Sequence, residues 1–141
     1  MKKSIYLISP NKIEKKFYND LQKVLKTQKV KFFQLRLKKT PKKTILLVAK
    51  KIKKITNKFN VKLIINDDPL IAKKINADGC HIGQNDFSFN FSKKLLKNKI
   101  IGKTCHGSKK LVDLAIKNNA DYIAIGSFFK SRLKPNAKKL G

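Results

Sequence analysis

Short apolar runs alternate with longer amphipathic ones along the whole chain. The apolar runs are residues 4–9, 30–36, 61–66, 78–83, 100–104 and 121–126. Several are apolar on consecutive residues, as strands buried on both faces are. Between them lie helical patterns. Ile13, Phe17, Leu21 and Val24 recur at helical spacing in the first, and Ile45, Val48, Ile52 and Ile55 in the second. Thr40 then reads as the second helix's cap, with Pro41 at its first position. Asp68-Pro69 opens a third helix in the same way. A fourth spans about residues 88–97, with an ambiguous start because Phe87, Phe89 and Phe91 alternate like a strand. Ser108 caps a fifth, carrying Leu111, Val112, Ala115 and Ile116. Strictly alternating strands and helices require parallel strands with right-handed crossovers.

An internal repeat narrows the architecture. NADGCHIGQ (76–84) and NADYIAIGS (119–127) match at the same offsets, two βα units apart. Such a repeat fits a (β/α)8 TIM-barrel type better than a doubly wound sheet, and no glycine-rich first turn of the dinucleotide-binding type is present. A chain of 141 residues forms one domain, 1–141. Six strand candidates are two short of a closed eight-stranded barrel, so the expectation is an α/β barrel truncated to about six βα units. Strands one and six should then be unpaired edges, open to self-association.

Charge bounds the partners. Thirty-five basic residues face eight acidic ones, a net charge of +27. Lysine is spread along every segment with no single dense block, which reads as a solvated outer face and leaves a basic nucleic-acid-binding protein as the less favoured alternative. The two cysteines, Cys80 and Cys105, form no CxxC pair and suggest a reduced, cytoplasmic protein. No segment has the length of a membrane span. Cys80-His81 and Cys105-His106 invite a zinc reading, but adjacent strand residues point to opposite faces, so packing thiols and a hydrogen-bonded core His81 are expected instead.

In a βα barrel, chemistry sits at the C-terminal ends of strands. Alternation points Gln34, Arg36 and Lys38 one way and Leu35 and Leu37 the other. Arg36 and Arg132 are the only arginines in a lysine-rich chain. An arginine at a strand end suits bidentate contact with phosphate. Asp68 reads as a helix cap, which leaves Asp67 at one strand end and Asp86 after the next. Two carboxylates facing a cationic, phosphate-binding pocket suit Mg2+. Thr104 and His106, at the fifth strand end, are placed to reach the same pocket.

QLRLK, LIINDD, ADGCHIGQND, IIGKTCHGS and ADYIAIGSFF, in this order and spacing, resemble thiamine phosphate synthase and its relative TenI. The resemblance implies a (β/α)8 barrel that joins an aminopyrimidine-methyl diphosphate to a thiazole phosphate, with Mg2+ assisting. It assigns diphosphate and pyrimidine contacts to Gln34, Arg36, Lys38 and Asn66, and metal binding to Asp67 and Asp86. Thr104 matches a hydroxyl residue on the pyrimidine, Ser131 one on the thiazole phosphate, and Lys134 a lysine on the diphosphate. Arg36, Lys38 and Lys134 form the implied catalytic set. The paired aspartates favour the synthase over the TenI type. Ser131-Arg132-Leu133-Lys134 departs from the family's threonine-any-threonine-lysine loop by losing one hydroxyl at Leu133. Missing strands seven and eight would remove part of the thiazole-phosphate site, so a non-catalytic or TenI-like binder of phosphorylated ligands is the alternative.

Overall fold

The computed structural model describes residues 3–84 and 87–127. Six strands alternate with five helices among them: β1 (Ile5–Ile8), α1 (Lys15–Lys26), β2 (Val30–Leu35), α2 (Lys42–Lys58), β3 (Lys62–Asn66), α3 (Pro69–Lys74), β4 (Gly79–Ile82), α4 (Phe89–Leu95), β5 (Ile100–Thr104), α5 (Lys109–Lys117) and β6 (Tyr122–Ala124). All pairings are parallel, in the order β1-β2-β3-β4-β5-β6. The βα alternation is therefore as the sequence implied, and among the described residues β1 and β6 each pair on one side only.

The sheet is strongly coiled. Six strands laid flat would separate β1 from β6 by roughly 24 Å, five spacings of about 4.8 Å. Yet the Tyr6 hydroxyl of β1 lies 2.6 Å from the Tyr122 hydroxyl of β6. The strands thus wrap as part of a barrel around a shared interior.

Alternation along each strand divides the side chains between two layers. Phe33, Leu35, Leu63, Ile65, Cys80, Ile82 and Ile101 face the helices and pack with Leu21, Leu25, Ala49, Ile52 and Ala72. The opposite face carries Tyr6, Phe32, Gln34, Ile64, Asn66, His81 and Tyr122 into the barrel. Tyr6, Phe32 and Tyr122 form an aromatic cluster with ring centroids 5.4–6.4 Å apart. Room for Tyr122 exists because its neighbour across the sheet is Gly102. A Cβ at Gly102 would lie 2.0 Å from the Tyr122 ring.

The two repeats carry identical devices. Asn76 and Asn119 adopt left-handed φ values of 52° and 56° and end α3 and α5. Ala77 and Ala120 then donate their N–H groups to Ala72 and Ala115, each at 2.9 Å. Asp78 accepts from the Leu63 N–H (2.9 Å) and Lys53 Nζ (2.7 Å). Asp121 accepts from the Ile101 N–H (2.7 Å) and Lys93 Nζ (3.1 Å). Each aspartate pins the start of the preceding strand to the helix before it. Burial opposes ionisation of Asp78, but Lys53, the Leu63 N–H and Lys62 outweigh it and hold the carboxyl below its usual range.

Three local expectations are corrected. Thr40 does not cap α2: Pro41, in an extended conformation, is the cap residue, and the Thr40 hydroxyl donates to the Lys38 carbonyl at 3.3 Å. In α1, which begins only at Lys15, Leu25 and not Val24 is buried. In α5, Ile116 is 63% exposed. An i, i+4 spacing from Leu21 and Leu111 selects Leu25 and Ala115 as the buried positions instead. Asp68, Ser88 and Ser108 are caps, each accepting from N–H groups of the first turn.

Candidate active site

A cavity of about 580 Å³ opens at the C-terminal ends of the strands. Gln34, Arg36, Lys38, Asn66, Asp67 and Thr104 all line it. Alternation and strand ends had pointed to all of these but Asn66, which the family resemblance supplied, and β2, β3 and β5 bring them together. Asp86, Ser131 and Lys134 lie outside the described residues.

The cationic side of the cavity is held by the loop after β1. The Arg36 N–H donates to Ser9 Oγ (2.9 Å) and the Lys38 N–H to Asn11 Oδ1 (2.8 Å). Ser9 N–H donates in turn to the Gln34 carbonyl at 2.9 Å. These bonds extend the β2 direction past Leu35, so Gln34, Arg36 and Lys38 keep the same facing beyond the regular strand. Lys38 pairs with the carboxylate of Asp67, which follows the neighbouring strand β3. Among the described residues, Arg36 makes no ion pair.

Asp67 has φ 65°, a left-handed conformation uncommon outside glycine. Its N–H donates to the His81 carbonyl (2.8 Å) while Asp68 turns away to cap α3. One residue thus faces the cavity and the next closes the helix, as the sequence suggested for this pair. No group of three or more His, Cys, Asp or Glu side chains converges among the described residues. Mg2+ requires less than that, one or two carboxylates with phosphate oxygens completing the shell. The hard oxygen donor of Asp67 at the cavity wall fits such an ion.

The floor is polar and continuous. Gln34 Nε2 donates to the Tyr6 hydroxyl (2.9 Å). The Tyr122 hydroxyl lies 2.9 Å from His81 Nδ1, and His81 Nε2 lies 2.7 Å from Thr104 Oγ1. Burial lowers the pKa of His81 to about 4; nearby Asp67 works against this shift and Lys103 adds to it. Burial raises Tyr6 and Tyr122 above the usual phenol range. All three are therefore neutral at pH 7. His81 is the hydrogen-bonded core histidine that was expected, and Cys80 and Cys105 are buried free thiols.

Tyr6 and Tyr122 were not singled out from the sequence. A signal existed: the repeat aligns Tyr122 with Gly79, so one copy fills the interior position that the other leaves small. Gln84 also lines the cavity and donates to the Thr104 carbonyl. His106 lines it with φ 49°.

Comparison with known proteins agrees with the fold. The family model for thiamine monophosphate synthase (TMP-TENI) matches residues 5–141. The thiamine-phosphate synthase of Pelagibacter ubique (strain HTCC1062) is 57% identical over 134 residues, covering 94% of this chain and 65% of that protein. The Thermoplasma acidophilum thiamine-phosphate synthase is 33% identical over 135 residues, covering 96% and 62%. The solved structure of thiamine phosphate pyrophosphorylase from Pyrococcus furiosus superposes with a TM-score of 0.79 at 25% identity, covering 89% of this chain and 61% of that one. The chain spans less than two thirds of the length of each. With six parallel strands, a cavity at their C-terminal ends and these matches, the chain belongs to the thiamine monophosphate synthase (TMP-TENI) family.

Proposed function

We propose that this chain carries the thiamine phosphate synthase reaction, joining an aminopyrimidine-methyl diphosphate to a thiazole phosphate. The observation that carries this reading is the convergence of Gln34, Arg36, Lys38, Asn66, Asp67 and Thr104 on one cavity. The methylene–oxygen bond breaks with its electron pair going to the diphosphate. The thiazole nitrogen then donates its lone pair to the pyrimidine-methyl cation. No general base is needed at the reacting carbon. The task of the protein is to stabilise negative charge growing on the leaving group and to hold the two rings in line.

Arg36 offers a two-pronged donor set to the diphosphate and Lys38 a point charge beside it. Lys134 joins them by resemblance. Asp67, with Asp86 by resemblance, would hold Mg2+, which supplies charge neutralisation to the diphosphate when bound. Gln34, Asn66 and Thr104 orient the pyrimidine, and Ser131 is assigned to the thiazole phosphate. Residues 1–141 act as one domain in this reading. Two buried free thiols support a cytoplasmic setting. The β1 edge, where Ile5 is 47% and Ile8 51% exposed, supports self-association.

Incubating the chain with both substrates and Mg2+ tests the proposal. Thiamine phosphate and free diphosphate should form in equal amounts. Tight binding of the pyrimidine diphosphate without product would instead indicate a non-catalytic binder of phosphorylated ligands. Isomerisation of a thiazole would indicate the TenI type.

A further inference from the structure

Five side chains from five strands form one unbranched series across the cavity floor. Gln34 (β2) contacts Tyr6 (β1) at 2.9 Å, Tyr6 contacts Tyr122 (β6) at 2.6 Å, Tyr122 contacts His81 (β4) at 2.9 Å, and His81 contacts Thr104 (β5) at 2.7 Å. Both ends, Gln34 and Thr104, line the cavity. Each hydroxyl has one proton to give, and so does a neutral imidazole. Directions along such a series are therefore not independent.

The Gln34 amide presents its nitrogen to Tyr6 and can only donate there. Tyr6 accepts that bond and gives its own proton to Tyr122. Tyr122 gives its proton to His81 Nδ1, which places the imidazole proton on Nε2. Nε2 donates to Thr104 Oγ1, and the Thr104 proton is left over, facing the cavity. The opposite direction would make Tyr122 donate to an oxygen already accepting from Gln34. The Tyr6 proton would then have no acceptor in the series, in a half-buried site where an unmade hydrogen bond is costly.

We propose that Tyr6, Tyr122 and His81 are positioning residues that fix hydrogen-bond polarity, making Thr104 Oγ1 a donor and Gln34 Oε1 an acceptor toward the bound ligand. This deepens the proposed function and rests on it for the ligand's identity. A ring offering an acceptor nitrogen beside an exocyclic amino donor presents the complementary pair. A pyrimidine with a hydroxyl in place of that amino group would set a donor-poor edge against the Gln34 acceptor and bind more weakly.

The tautomer of His81 tests the proposal without substrate. Long-range 1H–15N spectra of the imidazole should show the Nε2–H form in the wild-type chain at pH 7. Tyr122→Phe removes the only donor to Nδ1 in the series, so the hold on the Nε2–H form should loosen and both tautomers should be populated. Tyr6→Phe cuts the series between Gln34 and Tyr122, so Tyr122 is no longer forced to donate and the hold on the Nε2–H form should loosen. A wild-type Nδ1–H form, or a tautomer indifferent to Tyr122→Phe, overturns the relay. Should Tyr122→Phe fail to fold, the wild-type and Tyr6→Phe spectra still decide the direction.

Binding provides the second readout. Tyr122→Phe should weaken the aminopyrimidine diphosphate by roughly tenfold, the scale of one misdirected hydrogen bond. Affinity for inorganic diphosphate should be unchanged, because none of the relay is assigned to phosphate. Equal weakening of both ligands would reduce Tyr122 to a structural role and overturn the proposal. Failure of the wild-type chain to bind either ligand would overturn the proposed function instead, while the tautomer would still report on the relay.

Discussion

Gly102→Ala should destabilise this chain, although the same change at a compatible backbone position usually adds about 0.4–1 kcal/mol of stability. Gly102 does not have a positive φ, so alanine meets no backbone obstacle. The obstacle is the Tyr122 ring. An added Cβ would sit 2.0 Å from Cζ and 2.4 Å from both Cε1 and the hydroxyl oxygen. Ordinary contact begins at 3.4 Å, so the ring must move by about 1.4 Å, the difference of 3.4 and 2.0. Its hydroxyl is held at 2.6 Å by Tyr6 and 2.9 Å by His81, so a shift of that size breaks at least one of these bonds. Overpacking costs about 1–3 kcal/mol and a broken buried bond a further ~1 kcal/mol or more, giving roughly 2–4 kcal/mol together. For a chain this size that lowers Tm by roughly 6–16 °C. Urea unfolding of the single variants and of Gly102→Ala/Tyr122→Ala measures it. The alanine penalty should shrink by at least about 1 kcal/mol once the ring is gone. A stable Gly102→Ala protein, or penalties that simply add, would refute the close approach of β5 and the Tyr122 ring.

Arg36→Lys keeps the charge but loses the planar fork, and should weaken diphosphate binding by roughly 1–2 kcal/mol in calorimetry; unchanged affinity would return Arg36 to a solvated strand end. Asp78→Ala leaves the N–H of the fully buried Leu63 without its acceptor and should cost about 1–3 kcal/mol in urea unfolding. The lowered folded pKa of Asp78 means its contribution is present above the usual carboxylate pKa and is lost as pH falls below it. His81, lowered from 6.5 to about 4, favours the folded state fully above pH 6.5 and loses that contribution as pH falls toward 4. Stability should therefore decline over that window by at most about 3 kcal/mol, and imidazole carbon shifts should show His81 still neutral at pH 5.

Much of the fold could be read from local pattern. Runs apolar on both faces became strands, because each strand has helices on one side and the barrel interior on the other. Alternation after Phe33 placed Gln34, Arg36 and Lys38 on one wall, because a β-strand repeats every two residues whatever it packs against. The Asp67-Asp68-Pro69 step was legible for the same reason: Pro69 fixes where α3 starts, so Asp68 must cap it and Asp67 must turn elsewhere. What escaped were contacts made across many residues of sequence. Nothing local says that Lys38 meets Asp67, which follows from the parallel pairing of β2 with β3, or that Tyr6 meets Tyr122, which depends on how far the sheet coils. The aspartates of the two NAD segments escaped differently. Their shared offset was visible, but their partners, the N–H groups of Leu63 and Ile101, follow only from the parallel register.

Calorimetric titration of the aminopyrimidine diphosphate, with and without Mg2+, tests the metal and phosphate reading of the cavity most directly. Mg2+ should tighten binding to the wild-type chain at least about tenfold, the usual scale of one charge-assisted contact. Asp67→Asn and Asp86→Asn should each remove most of that gain while leaving weak, metal-independent binding through Arg36. Full Mg2+-dependent binding in both variants, or no binding by the wild-type chain, would contradict it.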